Sequence, residues 1–384
     1  MTAHNLAWAY KLMILIVTQT FAPATGGMEV YMTTLAEELA RAGREVVVFA
    51  DGKDKNYAPQ ANYILRRFSG WRPYRRWRKR RAVAELFDSR VIEGVFCDSW
   101  KSVEALPETF SAPIVVLAHG AEYPVTPSRR KGNRIITALE QSTKILANSR
   151  FTADVVRPYL ARSDDPRLIV VHPPISPLLN PSPEAHEKMR KKIGERFPVI
   201  SVLSRLEPRK GIDRIITAMP AVIAKYPSVV FLIGGSGDDE WRLRDLVKEK
   251  GVAKNVVFLG AVSNERKLAL LANSDVFAMP VRRVGTSVEG FGISYIEAAW
   301  FGVPSLGGAG CGAEDAVIDG KTGLICDGEN QTEVTIKLLK LLDDETLRRK
   351  LGQAAKKRAQ QELIWSKALP RFIAALQKPN PRIR

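Results

Sequence analysis

LMILIVTQTFAPATGGMEVYMTTLAEELARAGREVVVFA, residues 12–50, decides the fold class. Its opening, Leu12 to Thr18, is a short continuous apolar run of the kind buried on both faces of a parallel sheet. The turn signal PATGG (Pro23 to Gly27) follows, then a helical period from about Glu29 to Arg41, stopped by Gly43. Glu45 to Ala50 is the next apolar run. A strand, a helix and a strand in that order pair in parallel through a right-handed crossover, so the sequence predicts an α/β sheet.

Outward from this unit the alternation continues. Further strands are predicted at Gly94 to Cys97, Ile114 to Ala118, Lys144 to Ala147 and Leu168 to Val171. HPPISPLLNPSPE (His172 to Glu184) then places five prolines in thirteen residues and holds no period, which marks a linker. Beyond it strands are expected at Pro198 to Leu203, Val229 to Gly234, Val256 to Leu259, Val276 to Met279, Pro304 to Leu306 and Gly323 to Ile325, with a helical close over Thr332 to Gln377. The expected organisation is a first Rossmann-like domain over 1–175 with 1–11 as a tail, and a linker over 176–190. A second Rossmann-like domain follows over 191–365, then a helix or tail over 366–384 that packs back on the first. Two doubly wound domains facing each other across a cleft would take ligands at the carboxyl ends of their strands.

Composition sets the outer limits. The 384 residues are 45% hydrophobic and 26% charged, which excludes wholesale disorder. Cys97, Cys311 and Cys326 are too few and too scattered for a disulfide framework and fit a reducing cytosol. Leu12 to Val17 is far short of the ~20 apolar residues that span a bilayer, and short of a signal core too. Met13 is a second candidate start.

The formal charge of +17 is concentrated. RRFSGWRPYRRWRKRR (66–81) carries nine Lys or Arg among sixteen residues and no acid, with Phe68, Trp71, Tyr74 and Trp77 at every third position. Trp71, Tyr74, Arg75, Arg76, Trp77, Arg78, Lys79, Arg80 and Arg81 are the candidate membrane or acceptor contacts. Aromatics suit a bilayer interface, and each cation near an anionic surface contributes on the order of 1 kcal/mol. Nucleic-acid binding by stacking and phosphate contact, or a solvated segment whose aromatics pack on the domain, are the competing readings. Pro73 predicts a loop entering a helix near Tyr74.

Candidate chemistry gathers in the second half. EGFGISYIEAAWFGVP (289–304) follows the strand VFAM and opens a helix. The N–H groups of Phe291, Gly292 and Ile293 would point out of its N-terminus as an anion site, with Glu289 and Glu297 two turns apart to reach separate parts of one ligand. SRLEPRKGI (204–212) puts Arg205 and Lys210 at a strand's end, a fork and a point charge suited to pyrophosphate. Gly235, in GGSGDD (234–239), is a second phosphate-approaching candidate. GKT (320–322) lacks the spacing of a P-loop, since Asp315 stands where its first Gly is required. No Asp-x-Asp or His/Cys metal spacing occurs, so no metal is expected. In the first half Gly26 and Gly27 precede a helix where backbone N–H groups can face phosphate, and His119-Gly120 ends an apolar strand beside Glu122. His172 reads as a packing residue, and His4 and His186 as surface residues.

GGMEVYMTTLAEELARAGREVVVF, the His-Gly at 119–120, ANSRFTADVV, LSRLEPRKGI, EGFGISYIEA and GAGCGAEDAVIDGKTGLI together resemble the retaining glycosyltransferases of family 4, which have the GT-B fold. The likeness runs from Lys11 to about Ala375 and is similar in flavour to bacterial GDP-mannose-using enzymes such as the phosphatidylinositol mannosyltransferases. Cys311 departs from the glycines or serine usual in its loop, and the stretch before Lys11 is atypical.

The resemblance implies that Arg205 and Lys210 hold the donor diphosphate, Glu289 the donor sugar and Glu297 the ribose. His119 would lie at the sugar's reacting face, and Gly27 near the phosphates. It implies a nucleoside-diphosphate sugar donor, with GDP-mannose favoured over a UDP-sugar, and no cofactor or metal. The acceptor would be lipid-linked or of lipopolysaccharide type, met on the cytoplasmic face of an anionic membrane. No nucleic-acid partner is favoured, and oligomeric state stays open. The alternatives are a non-catalytic basic nucleic-acid- or membrane-binding scaffold, and a UDP-sugar enzyme with a soluble acceptor.

Overall fold

The apolar run at 13–18 is a strand buried along its whole length, β1 (Met13–Thr18), in the interior of a seven-stranded parallel sheet. The computed structural model describes residues 12–24, 26–53 and 57–377; the predicted tail at 1–11 lies outside them. Around β1 stand β2 (Glu45–Asp51), β3 (Ile64–Phe68), β4 (Ile92–Cys97), β5 (Ile114–Ala118), β6 (Lys144–Ala147) and β7 (Leu168–Val170), in the order β3-β2-β1-β4-β5-β6-β7. A second, six-stranded parallel sheet holds β8 (Val199–Leu203), β9 (Val230–Gly234), β10 (Val256–Gly260), β11 (Val276–Met279), β12 (Ser305–Gly308) and β13 (Gly323–Cys326), in the order β10-β9-β8-β11-β12-β13. Strand order reverses between β1 and β4 in the first sheet and between β8 and β11 in the second. Those reversals are where doubly wound sheets open a crevice for ligands.

Each sheet carries its own core. Phe96 and Trp100 are fully buried in the first unit, Phe231 and Phe277 in the second. Burying a side chain of that class contributes roughly 1.5–3 kcal/mol, so each unit has the means to hold itself together. Among the described residues the first unit comprises 12–147, 153–171 and 369–377, and the second 148–152 and 172–368. The last helix, Trp365–Ala375, therefore begins in the second unit and ends in the first, where Phe372 packs on Tyr31 and Phe96.

The structure corrects the sequence reading in four places. β3 was not anticipated: its ILRRF alternates in exposure as an edge strand does, with no apolar run to announce it. The first helix starts at Gly27, ahead of Glu29. The basic helix runs Arg72–Ser89, with Pro73 inside its first turn, where a missing N–H leaves no bond unmade. Residues 183–190, expected as linker, are helical: Ser182 caps a helix over Pro183–Ile193, its hydroxyl accepting from the Ala185 N–H at 3.3 Å. Met189 and Ile193 of that helix pack with Val199, Val230 and Leu270, which ties it to the second unit.

Candidate active site

The strand end after β8 delivers Ser204 to Lys210, and the loop after β11 delivers Glu289, so both groups sit at the second sheet's reversal. Lys210 Nζ donates to Glu289 Oε2, and Arg209 donates to the same oxygen at 2.8 Å. Arg209 also meets Glu207 at 2.8 Å, and Glu207 takes Arg205 at 3.1 Å. The result is a charge chain Arg205–Glu207–Arg209–Glu289–Lys210. Burial alone would raise the Glu289 carboxyl, but the charges of Lys210 and Arg209 outweigh it and hold the group below the usual carboxylate range. Lys210 is thus buried and already placed by its carboxylate, whereas Arg205 is the exposed outer member, its side chain 68% accessible. Arg209 escaped the sequence reading, which took the two cations flanking the Glu-Pro-Arg stretch.

The helix Ile293–Trp300 begins at Gly292, whose φ of +91° and whose Cβ position, 2.5 Å from the Tyr295 ring, admit only glycine. No side chain caps this start. Phe291 is buried and stacks on His172 at 5.5 Å, so the ring is packing and only its backbone is available to a ligand. Glu297 is held by Lys267 at 2.5 Å. Gly235 has φ +128° and a Cβ there would fall 1.8 Å from the Ser204 carbonyl oxygen, so this glycine lets the GGSG turn close onto the Ser204–Lys210 segment. A further cluster was invisible in the sequence. The buried Asp315 accepts from the Arg150 N–H at 2.5 Å and its Nε at 2.6 Å, and meets His172 Nε2 at 3.2 Å. Burial would raise the Asp315 carboxyl, yet bonds from His172 and Arg150 bring it down to about 2.

In the first unit His119 directly follows β5 and is half-buried against Tyr31, ring to ring at 5.9 Å. Burial holds its imidazole down to about 4, against a bond to the Asp98 backbone that opposes this, so it is neutral at pH 7. The His119 N–H donates to Glu122 Oε1 at 2.8 Å. Burial pushes the Glu122 carboxyl up to about 7. A folded value above the ordinary 4.5 means that the group's favourable contribution is complete below pH 4.5 and is lost as pH rises through 7. Glu122→Gln keeps the accepting oxygen and removes that loss. Its stability advantage over wild type is expected to grow from pH 5 to pH 8 towards about 3 kcal/mol. Paired melts at both pH values test this; a difference independent of pH overturns it.

Gly26 caps the first helix and Gly27 opens it, but Glu29 turns back over Gly26 and takes the Thr20 hydroxyl. The anion nearest that helix start is the chain's own carboxylate.

The basic run divides into two faces. Trp71 and Trp77 are exposed, Tyr74 stacks on Trp77 at 6.0 Å, and Arg78 lies over Tyr74 at 5.8 Å. Arg80 and Arg81 are exposed too. The other face turns inward. Lys79, expected as a membrane contact, is 3% exposed and donates to Asp51 at 2.6 Å and to the Thr18 carbonyl at 2.9 Å. Arg75 meets Asp51 at 2.9 Å and Arg76 meets Glu104 at 2.8 Å. Lys79 cannot touch a bilayer. Among the described residues no helix is long and apolar enough to cross a membrane, and no three of His, Cys, Asp and Glu gather as metal ligands.

Comparison with known proteins agrees with this fold. Residues 184–358 match the family "Glycosyl transferases group 1" and residues 25–177 match "Glycosyltransferase Family 4". The GDP-mannose-dependent monoacylated alpha-(1-6)-phosphatidylinositol monomannoside mannosyltransferase of Corynebacterium glutamicum is 31% identical over 390 residues, covering 96% of this chain and 98% of the relative. The GDP-mannose-dependent alpha-(1-6)-phosphatidylinositol monomannoside mannosyltransferase of Mycolicibacterium smegmatis is 30% identical, covering 92% and 95%. Among solved structures, HepE of Anabaena with UDP and glucose superposes with a TM-score of 0.77 at 19% identity, covering 95% of this chain and 99% of that one. The sucrose-phosphate synthase of Thermosynechococcus elongatus gives 0.74 at 21%, covering 94% and 97%. Sequence kinship over nearly the whole length and two doubly wound sheets lead to one assignment: the chain belongs to glycosyltransferase family 4 and is a GT-B glycosyltransferase.

Proposed function

We propose that this chain transfers a mannosyl group from GDP-mannose, with retention at the anomeric carbon and without a metal, to a hydroxyl of a lipid-linked acceptor at a membrane surface. The observation that carries the donor and acceptor class is that relatives 30–31% identical over more than nine-tenths of the chain are GDP-mannose-dependent mannosyltransferases of phosphatidylinositol mannosides.

The chemistry fits the site. The bond from the sugar's anomeric carbon to the diphosphate oxygen breaks, and a bond to the acceptor oxygen forms on the same face. The acceptor proton passes to the departing phosphate. Charge builds on that phosphate, and Lys210 and Arg209, with Arg205 at the exposed outer edge, supply positive charge, aided by the uncapped helix start at Phe291–Ile293. Glu289 keeps those cations aligned and offers its remaining oxygen to the sugar. Glu297 takes the ribose and Gly235 shapes the adjoining turn. His119, held neutral, can bond the transferred sugar without attracting charge. Trp71, Tyr74 and Trp77 with Arg78, Arg80 and Arg81 form the membrane-facing side of their helix.

Heat unfolding with GDP, UDP and ADP and their sugars tests the donor. GDP-mannose at about a hundred times its Kd should add roughly 2.7 kcal/mol, a rise of several degrees. Stabilisation by a UDP-sugar but not by GDP-mannose overturns the donor assignment.

A further inference from the structure

Strands β8 and β11 flank the reversal of the second sheet, and each hands over to a loop that carries charge. The first loop bears Arg209 and Lys210, and the second bears Glu289. Upstream of Glu289 on that second loop stands Arg282. Its backbone N–H donates to the Arg209 carbonyl at 2.9 Å. Its guanidinium forks onto Asp213, Nη1 to Oδ1 and Nη2 to Oδ2, both at 2.9 Å. Asp213 lies in the first turn of the helix Ile212–Lys225, so the two anchor points bracket Lys210. Between them Gly211 has φ +70°, and a Cβ there would fall 2.1 Å from the Pro280 carbonyl oxygen. The two loops therefore meet backbone to backbone, and only glycine fits.

Two features separate this contact from an ordinary surface ion pair. The side chain of Arg282 is 9% exposed and that of Asp213 14%, so water screens them little, and the bidentate fork is the strong, oriented form of the contact. Asp213 also has a second cation: Arg242 meets it at 3.7 Å and is itself held by Asp239 at 2.6 Å. Charge balance at Asp213 therefore does not depend on Arg282 alone. What Arg242 lacks, and Arg282 has, is a bond to Arg209.

We infer that Arg282 is a positioning residue: it clamps Arg209 to Asp213 and so fixes Lys210 where the leaving diphosphate gains charge. The place given to the diphosphate rests on the reading above; the clamp itself does not. Lys210 helps the leaving group only if its ammonium stands ready beforehand, and a misplacement of about 1 Å can cost a hundredfold in rate. The fork of Arg282 is filled by Asp213, so it acts through Lys210 rather than on the donor.

The test is a double-mutant cycle on the full chain, read as the Kd of GDP and of GMP by titration calorimetry. GDP is the departing group itself, and GMP keeps its base and ribose but lacks the second phosphate. Arg282→Lys leaves a charge beside Asp213 and loses the fork, so the chain should fold. It should weaken GDP about tenfold and GMP by less than about twofold. In a Lys210→Ala background the same change should weaken GDP by less than about twofold, because the group it positions is gone. Arg242→Gln, beside the same carboxylate, should lower Tm and leave GDP affinity within about twofold.

Equal losses of GDP affinity from Arg282→Lys with and without Lys210 overturn the inference, since a structural residue acts alike in both. So does equal weakening of GDP and GMP, or a loss of GDP affinity in Arg242→Gln as large as that in Arg282→Lys. If Lys210→Ala alone binds GDP as wild type does, the diphosphate assignment falls first and takes the inference with it. Should UDP or ADP bind in place of GDP, only the donor base is corrected, and the cycle is read with that diphosphate and its monophosphate.

Discussion

Lys210→Ala is expected to lower kcat by about two to three orders of magnitude, the usual cost of removing one preorganised group that faces developing charge. Lys210 is buried and oriented by Glu289, so it spends nothing on reorganisation when the leaving phosphate gains charge. Arg205→Ala should cost only about tenfold, because its side chain is 68% exposed, screened by water and tethered to Glu207. Steady-state turnover of the two variants beside wild type decides the point. Equal losses would mean that Arg205 folds inward on donor binding, and near-normal turnover of Lys210→Ala would remove the proposed diphosphate site.

Glu289→Ala is expected to unfold the second unit early. The substitution leaves the buried Lys210 without its carboxylate while Arg209 keeps Glu207, and breaking a buried pair in this way costs roughly 3–5 kcal/mol. For a unit of this size that lowers Tm by about 10 °C. Glu289→Gln preserves an accepting oxygen and should lose less, since one hydrogen bond to each cation can survive. Melting curves without nucleotide read the effect directly; an alanine variant that melts with wild type would show that the cations find other partners.

Strands buried on both faces were legible to the residue: Ile114–Ala118 and Val276–Met279 are continuous apolar runs, and Lys144–Ala147 is one after its first residue. β3 was not, because an edge strand needs to bury only alternate side chains and so looks like a loop. Lys210 and Glu289 could be singled out because each follows a strand, the place where doubly wound sheets put their ligand groups. Arg209 could not be separated from its neighbours, since only the curl of the short Pro208–Lys210 turn aims it at Glu289. Nor could the division of the basic helix be foreseen. Lys79 and Arg80 are chemically alike in sequence, and the position of Asp51 on another strand decides which one is buried. The link of Arg150 and His172 to Asp315 joins segments far apart in the chain, and no local period records it.

Because residues 369–377 complete the first unit, an N-terminal half ending before the second sheet would leave Tyr31 and Phe96 without Phe372. During synthesis that apolar patch stays open until residues 369–377 have emerged, after the whole second sheet has been made. A chain that stops before residue 369 should therefore expose this apolar patch and be prone to aggregate.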